Sequence, residues 1–243
     1  MTELTGHTVL LTRAAEDNDA WAERLTAAGA RPVALPCIRT EAITDEATVA
    51  AITAALEEAD WLAFTSRRGV EAFVELSPEP LPESVRIAAV GTATAAAAKQ
   101  LLGGVDLTSE AGTAASLARA LAERVGAGAH VLIAVAENAT DALQETLQAT
   151  GADCVRVDVY RTVPAPPLSP KRALSSLGAD NVLLASPSAV TGFVNQVAVD
   201  ISADIFTIGP STTAAAQAAG LDVAAQAEYP SLEGLMEAMI CAS

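Results

Sequence analysis

The chain repeats one sequence pattern at a separation of about 120 residues, and this repeat limits the folds that it can adopt more than any other feature. TVLLTR at 8–13 returns as HVLIAV at 130–135, a separation of 122 residues (130 − 8 = 122). NDAWAERLTAAGA, which begins at Asn18, returns as TDALQETLQATGA from Thr140 at the same separation. A period of this length is too long for a solenoid repeat, so it predicts two similar domains.

The later segments of each copy of the repeat carry the chain's most informative motifs. DWLAFTSRRGVEAFV at 60–74 matches DNVLLASPSAVTGFV at 180–194, and AVGTATA at 89–95 matches TIGPSTT at 207–213. The separation falls from 122 to 120 and then to 118 residues, which we attribute to small deletions in loops between two copies of one unit.

Short apolar runs alternate with alanine-rich helical stretches throughout the chain. This is the pattern of βαβ units, and it predicts an α/β fold with parallel sheets. Proline clusters at 77–82 and 163–170 predict loops. The predicted strands are Val9–Leu11, Pro32–Leu35, Trp61–Thr65, Ile87–Val90, Val131–Val135, Val155–Val159, Val182–Ala185 and Phe206–Ile208.

Hydroxyl side chains follow four of these predicted strands, at 64–66, 90–94, 185–188 and 208–212. In a parallel α/β sheet, ligands bind beyond the carboxyl ends of the strands, where the chain turns into the next helix. Free N–H groups and hydroxyls at those turns suit an anionic or polyhydroxylated ligand. Each hydroxyl taken singly is equally consistent with a helix N-cap that contributes about 1 kcal/mol of stability.

Composition excludes several function classes. A net charge of −16, with Lys99 and Lys171 as the only lysines, argues against nucleic-acid binding, which depends on Lys and Arg neutralising phosphates. No apolar run reaches the roughly 18 residues that a membrane span needs, and the N-terminus lacks the features of a signal peptide, so we expect a cytoplasmic protein. Three widely separated cysteines predict reduced thiols, without disulfides or a metal site.

The common catalytic motifs are missing. The sequence contains no P-loop, no G-x-G-x-x-G placed after a strand, no H-E-x-x-H and no G-x-S-x-G. His7 and His130 both directly precede apolar strands, where we interpret them as structural. The site predicted at the strand ends therefore lacks the usual histidine base.

Taken in order, these motifs resemble the uroporphyrinogen-III synthase family over nearly the whole chain. The segments that carry the resemblance are LLTR at 10–13, AFTSRRGVEAF at 63–73, AAVGTATA at 88–95, VYRT at 159–162, ASPSAVTGF at 185–193 and TIGPSTTAAA at 207–216. Each motif alone is weak in a family with divergent sequences, whereas their order and spacing together are specific.

The resemblance implies a cofactor-free lyase that acts on hydroxymethylbilane, an anionic linear tetrapyrrole. Such enzymes cyclise this substrate with inversion of the fourth pyrrole ring and loss of water, in haem biosynthesis. It also implies two flavodoxin-like parallel-sheet domains, one formed by 1–36 plus 163–243 and the other by 41–158. The two would be joined by linker strands at 37–40 and 159–162 that act as a hinge. We expect the protein to be a monomer.

The resemblance also implies site residues. Tyr160 matches the family's Y-x-T tyrosine and is the candidate acid that assists departure of hydroxide, although a tyrosine that only packs at the cleft rim is an equal alternative. Candidate substrate-binding residues, matched to the motifs or placed at the equivalent turn, are Arg13, Thr65, Ser66, Thr94, Ser186, Ser188 and Thr212. Arg67 and Arg68 are expected to be mainly solvated.

One departure from the family pattern concerns the strand at 131–135. Family members often carry an arginine after this strand, whereas here Ala134, Val135 and Ala136 occupy the region, which puts carboxylate binding there in doubt. Two alternative functions stay open on the sequence alone. One is a synthase-like binding or sensor domain without activity, and the other is a transferase or hydrolase on a flavodoxin-like scaffold.

Overall fold

The computed structural model describes residues 4–77, 79–109 and 111–242. Contacts between Cα atoms divide the chain into two compact units. The discontinuous unit comprises Met1–Arg39 and Thr162–Ser243, and the continuous unit comprises Thr40–Arg161.

Parallel strands dominate both units, as the alternating apolar and helical pattern predicts. In chain order the strands are β1 (Thr8–Leu11), β2 (Arg31–Ala34), β3 (Ile38–Ala42), β4 (Trp61–Phe64), β5 (Arg86–Val90), β6 (Leu107–Ser109), β7 (His130–Ala136), β8 (Asp153–Pro164), β9 (Arg172–Ala173), β10 (Asn181–Leu184), β11 (Val197–Ala198), β12 (Asp204–Thr207) and β13 (Val223–Gln226).

Helices follow most of the strands, and a 3-10 turn at Ala15–Asp17 precedes the first. They are α1 (Asn18–Ala27), α2 (Glu46–Glu58), α3 (Arg67–Leu76), α4 (Gly91–Leu102), α5 (Ala114–Ala122), α6 (Ala142–Gln148), α7 (Leu174–Leu177), α8 (Pro187–Gln196), α9 (Pro210–Ala218) and α10 (Leu232–Ala242).

All eight predicted strands form, and their bounds differ mostly by one or two residues from those predicted. The largest difference is β8, which continues through Pro164, so the loop predicted at 163–170 begins later than expected. Proline can occupy a strand end because only its missing N–H is lost to the ladder. Residues 77 and 79–82 form no helix or strand, as predicted, and Pro78 lies outside the described residues.

The two large sheets have the same strand order once the repeat is taken into account. The discontinuous unit has the order β13-β12-β10-β1-β2, and the six-stranded sheet has the order β3-β8-β7-β4-β5-β6. The repeat makes β1 equivalent to β7, β2 to β8, and β10, β12 and β13 to β4, β5 and β6. Each set of five equivalent strands therefore combines two strands from one copy of the repeat with three from the other, and β3 of the first copy is the sixth strand of the larger sheet.

Two aspartates at equivalent positions show this exchange directly. Asp60 Oδ2 accepts the backbone N–H of His130 at 2.9 Å, at the start of β7. Its repeat partner Asp180 accepts the N–H of Thr8 through Oδ1 at 2.8 Å, at the start of β1. In both units, the aspartate from one copy of the repeat fixes the first strand of the other copy.

The segments predicted as linkers lie within strands of the six-stranded sheet. Residues 38–40 belong to β3 and residues 159–162 belong to β8, and the Ile43 N–H donates to Val159 O at 3.0 Å beside them. They are continuous with a sheet rather than a separate two-stranded element.

The sheets are buried on both faces, which explains the uniformly apolar strands. Along β4, Trp61 and Ala63 pack with one apolar cluster, whereas Leu62 and Phe64 pack with the other, because successive side chains point to opposite faces. The discontinuous unit has the same arrangement, with Leu10 and Leu11 of β1 on opposite faces.

The cysteines provide a check on this packing. Cys37 and Cys154 are buried and Cys241 is exposed, all as free thiols. Burial raises the pKa of Cys37 to about 12, and burial together with the charge of Asp153 raises the pKa of Cys154. At pH 8 a thiol of pKa 12 is a thiolate in about one molecule in 10,000, and the thiolate is the reactive form.

We therefore expect one thiol per native chain to react rapidly with a disulfide reagent at pH 8, and three after unfolding in denaturant. A Cys241→Ser variant should lose the rapid phase. Rapid reaction of two or more thiols in the native protein would contradict the burial of Cys37 and Cys154.

Candidate active site

The structure brings two of the predicted site residues into direct contact. Ser66 follows the carboxyl end of β4, and Tyr160 lies on β8 where that strand pairs with Ala136 at the end of β7. The Ser66 Oγ and the Tyr160 hydroxyl oxygen are 3.0 Å apart. Both residues belong to the continuous unit, although 94 residues separate them in the chain.

Ser66 is held in place by the start of helix α3. It is the N-cap residue, with extended backbone angles, and its Oγ accepts the N–H of Gly69 at 3.0 Å. Gly69 suits this position because a Cβ there would lie 3.2 Å from Ala134 O and 3.3 Å from Ser66 Oγ. The helix start can therefore approach β7 closely.

Tyr160 is fixed by packing rather than by charge. It is 9% exposed, and its ring belongs to the apolar cluster that contains Phe64 and Val159. Tyr160 is one of the residues that line a cavity of ≈ 840 Å³ beside β3, the start of α2 and helix α3. A tyrosine with a buried ring holds its hydroxyl in one position.

The cavity carries charges of both signs, with more carboxylates than guanidiniums. Arg68 and Arg161 line it, and Arg161 forms an ion pair with Glu41 at 2.9 Å. The other acidic residues in its wall are Asp45, Glu71 and Glu75. Arg68 is therefore part of the cavity wall rather than solely a solvated helix-start residue, whereas Arg67 is exposed and pairs with Glu71 at 3.7 Å.

The equivalent helix start in the discontinuous unit has the same N-cap serine, but the position equivalent to Tyr160 is not a tyrosine. Ser186 is the N-cap of α8 and accepts the N–H of Ala189 at 3.1 Å. The residue that matches Tyr160 in the repeat is Ile38, which has no hydroxyl (160 − 122 = 38). Ser188 lies in the first turn of α8 and is partly exposed.

The two predicted threonines lie early in their helices and are largely buried. Thr94 in α4 is 5% exposed and Thr212 in α9 is 1% exposed. Thr65 lies directly after β4 and lines a small cavity of ≈ 40 Å³ together with Arg156 and Thr140. Thr65, Ser66, Thr94 and Tyr160 thus belong to the continuous unit, and the other predicted residues belong to the discontinuous one.

Arg13 stabilises the loop that follows β1. Its guanidinium donates to Asp17 O at 3.4 Å, pairs with the Asp17 carboxylate at 3.5 Å, and lies 4.4 Å from the centre of the Trp21 ring. These contacts give Arg13 a structural role in its own loop.

Arg156 of β8 contacts the corresponding loop of the continuous unit, and it was not predicted from the sequence. Its guanidinium donates to Ala139 O at 2.8 Å and to Asp141 Oδ1 at 2.6 Å, and it also reaches Ala136 O. A further bond joins it to Asp158 at 2.9 Å. The arginine missing after β7 is thus replaced by one from the adjacent strand β8, with its donors directed at the protein's own acceptors.

A weak signal for Arg156 is present in the sequence. In DCVRVDV at 153–159, Arg156 and Asp158 alternate with apolar residues, so period 2 places both on one face of a strand that is otherwise apolar. Pairing of such charges across i and i+2 was a foreseeable contact.

Among the described residues, no group of three His, Cys, Asp or Glu side chains could hold a metal ion. His7 Nδ1 lies 3.1 Å from Asn181 Nδ2, and His130 Nδ1 lies 3.7 Å from the Asp153 carboxylate.

No helix in the described part of the chain is long and apolar enough to cross a bilayer.

Comparison with known proteins relates most of the chain to one family. A family model described as uroporphyrinogen-III synthase HemD matches residues 19–237. The porphyrin biosynthesis protein HemD of Ruminiclostridium josui is 32% identical over 164 residues, which are 65% of this chain and 32% of that protein. The chloroplastic uroporphyrinogen-III synthase of rice is 28% identical over 192 residues, covering 76% of this chain and 64% of the rice protein. The chain thus spans about a third of the first relative and less than two thirds of the second.

A third relative matches over nearly its whole length. The uroporphyrinogen-III synthase of Synechococcus elongatus is 27% identical over 252 aligned residues, covering 97% of this chain and 95% of that protein.

Solved structures with the same fold include two bacterial proteins. A mutant uroporphyrinogen III synthase from Thermus thermophilus has a TM-score of 0.51 at 16% identity, with 98% of each chain covered. Uroporphyrinogen-III synthetase from Helicobacter pylori has a TM-score of 0.56 at 18% identity, covering 98% of this chain and 99% of that one. At these identities the likeness concerns the mixed α/β fold with parallel sheets and nothing finer.

Proposed function

The chain belongs to the uroporphyrinogen-III synthase family, and we propose that it catalyses the cyclisation of hydroxymethylbilane to uroporphyrinogen III with loss of water. The observation that carries the proposal is the contact between Ser66 and Tyr160, the second of which lines a ≈ 840 Å³ cavity. It places a phenol, the expected acid, at the carboxyl ends of parallel strands, where α/β proteins bind ligands. Family membership favours this function over a binding or sensor domain without activity.

The proposed first step is departure of the terminal hydroxyl group. Tyr160 donates its proton to that oxygen, the C–O bond breaks with its electron pair going to oxygen, and water leaves. The nitrogen lone pair of the terminal pyrrole forms a C=N bond, and loss of the pyrrole N–H proton gives a neutral azafulvene. The acid therefore has to act once at a defined atom, which suits a hydroxyl fixed on a buried ring.

The later steps are rearrangements of the substrate itself. The substituted carbon of the fourth ring attacks the azafulvene carbon and forms a spiro intermediate, which fragments and then recloses at the free carbon of the same ring. A proton is lost on reclosure, so water is the net product beside the macrocycle. The protein's contribution is to hold the chain in one reactive conformation.

Substrate carboxylates have to be met mainly by hydroxyls and backbone N–H groups. The cavity lined by Tyr160 contains Glu41, Asp45, Glu71 and Glu75, which repel carboxylates, and Arg68 and Arg161 are the guanidiniums in its wall. We propose Thr65, Ser186, Ser188, Thr94 and Thr212 as further contacts, together with Arg13. No cofactor enters any step of this scheme.

The finer fold expectations also belong to the proposal. Numbered in chain order, the strands of the five-stranded sheet in the discontinuous unit have the order 2-1-3-4-5, which is the order of flavodoxin and supports a flavodoxin-like domain. The proposed domains remain residues 1–36 with 163–243 and residues 41–158. We also propose that the protein acts as a cytoplasmic monomer.

The function is tested first by the rate of substrate consumption. Freshly prepared hydroxymethylbilane closes spontaneously, and we expect the purified protein to accelerate its disappearance in proportion to protein concentration. Equal rates with and without folded protein would contradict the proposal.

Tyr160→Phe tests the role of the phenol. The ring and its packing are retained, so we expect thermal stability within about 1 kcal/mol of wild type, the contribution of one hydrogen bond. We expect kcat to fall by about 100-fold, the lower end of what a positioned acid contributes. An unchanged kcat would show that Tyr160 only packs at the cavity wall.

A further inference from the structure

We infer that Ser66 is a positioning residue, which directs the proton of Tyr160 toward the substrate rather than binding the substrate itself. The inference rests on the proposed function, because it assigns a role within the same acid step. It starts from the 3.0 Å distance between Ser66 Oγ and the Tyr160 hydroxyl, in which either oxygen can be the donor.

The hydrogen-bonding capacity of Ser66 limits what it can do. A serine hydroxyl has one proton and two lone pairs. One lone pair accepts the Gly69 N–H at 3.0 Å. The single proton can be donated either to Tyr160 or to a substrate carboxylate, so Ser66 cannot orient the phenol and bind a carboxylate at the same time.

The acid step determines the direction of the bond. Tyr160 must direct its own proton at the leaving hydroxyl, so Ser66 has to be the donor in the reactive state. When the proton has moved, the phenolate oxygen keeps the hydrogen bond from Ser66. The opposite direction, with Tyr160 donating to Ser66, would withhold the proton from the substrate.

Helix α3 reinforces this arrangement. The ten-residue helix has its positive N-terminal end at Ser66, and the bond from the Gly69 N–H polarises the serine hydroxyl toward donation. Tyr160 lines the ≈ 840 Å³ cavity described above. The charged residues that line this cavity are Arg68, Glu71 and Glu75 on α3, Arg161 on β8, Glu41 on β3 and Asp45 at the start of α2. The ring of Tyr160 is buried, so the direction of its O–H is the part left to be set by a neighbour.

The internal repeat supplies a matched comparison. Ser186 makes the same cap bond, to the Ala189 N–H at 3.1 Å, but the position equivalent to Tyr160 is Ile38. Loss of the cap can therefore be separated from loss of the contact with the phenol.

A double-mutant cycle tests the inference. The wild type, Ser66→Ala, Tyr160→Phe and the double variant would each be assayed for kcat and KM with hydroxymethylbilane. For Ser66→Ala we expect kcat to fall about tenfold, as for loss of one oriented hydrogen bond, and KM to change less than about twofold. In the Tyr160→Phe background we expect Ser66→Ala to change kcat by less than about twofold, because it then has no proton to direct.

Multiplicative losses in kcat, or a KM increase that is retained in the Tyr160→Phe background, would overturn the inference in favour of direct substrate binding. Ser66→Thr keeps a hydroxyl and should restore kcat to within about threefold of wild type. If the wild-type protein does not accelerate consumption of the bilane, the proposed function has failed. That result is distinct from failure of the inference about Ser66, which is judged only from differences among variants of an active protein.

Stability is controlled by two further variants. Ser66→Ala and Ser186→Ala each remove an N-cap, with an expected loss of about 1 kcal/mol, and unfolding of both should shift by similar amounts. Ser66→Gly costs only a few tenths of a kcal/mol at an N-cap and also removes the hydroxyl. It should reproduce the kcat and KM pattern of Ser66→Ala, and wild-type kcat in this variant would overturn the inference.

Discussion

Gly192→Ala is expected to destabilise the protein by about 3 kcal/mol or more, although alanine is the better helix former. A Cβ at this position in α8 would lie 1.7 Å from Cys37 O, 2.7 Å from Cys37 C and 3.1 Å from Ala165 N. Helix propensity favours alanine over glycine by about 1 kcal/mol, whereas overpacking of a tight site costs about 1–3 kcal/mol and sometimes more. The overlap is with backbone atoms, so the steric cost dominates.

The surrounding hydrogen bonds show why α8 cannot move away easily. Gln196 Nε2 donates to Pro36 O at 2.9 Å, and Asn195 Nδ2 donates to Ala165 O at 3.0 Å. The Ala165 N–H donates to Cys37 O at 2.7 Å, directly beneath the glycine. Shifting the helix would break these hydrogen bonds.

Denaturant unfolding of Gly192→Ala and Gly126→Ala would measure the effect. Gly126 lies in the connection between α5 and β7, and a Cβ added there would have no atom within 4 Å, so its variant should unfold within about 0.5 kcal/mol of wild type. In the other copy of the repeat, the residue of α3 that is equivalent to Gly192 is Ala72 (192 − 120 = 72). The requirement for glycine is therefore specific to α8 and is not a general feature of this helix. A Gly192→Ala protein as stable as wild type would contradict the close approach of α8 to the backbone at Cys37.

Arg156→Met is expected to cost about 2–3 kcal/mol, the second large effect. The side chain is 17% exposed, and its loss removes the donor to Ala139 O and to the Asp158 carboxylate, whereas Ala136 O keeps the N–H of Ala139 at 2.9 Å. Unsatisfied acceptors cost about 1–3 kcal/mol each when buried, and partial exposure here reduces the sum. Methionine retains much of the apolar stem, so the variant isolates the guanidinium.

An exposed arginine provides the comparison for Arg156. Arg24 pairs with Glu233 at 2.7 Å with side chains 62% and 53% exposed, so Arg24→Met should cost less than about 1 kcal/mol. Native-state hydrogen exchange should also quicken in the loop at 137–141 only for Arg156→Met. Equal losses for the two variants would show that Arg156 does not organise that loop.

Much of the fold was predictable because the repeat and the apolar periodicity agree. Strand ends such as Phe64 and Leu184 are followed by N-cap serines, and this combination of signals located both helix starts correctly. Strands β6 and β13 were missed because LTS and VAAQ are short and partly polar. The exchange of strands between repeat copies is not encoded in periodicity, which specifies elements but not the sheet that they join.

The candidate site was predictable only in part. The patterns locate strand ends, but not which ends meet, so the contact between Ser66 and Tyr160 required the register of β7 and β8. The acidic wall of the cavity depends on the face of α3 that carries Glu71 and Glu75, and it could not be read from net charge. Arg156 does not follow from the sequence around β7, because it lies on the neighbouring strand β8.

The most direct measurement is the isomer composition of the product. Freshly prepared hydroxymethylbilane would be incubated with the purified protein, and the uroporphyrins would be separated after oxidation, beside a protein-free control in which spontaneous closure gives the symmetric type I isomer. We predict mainly type III, since only an enzyme that inverts the fourth ring produces it. Type I alone from folded protein would contradict the proposed function.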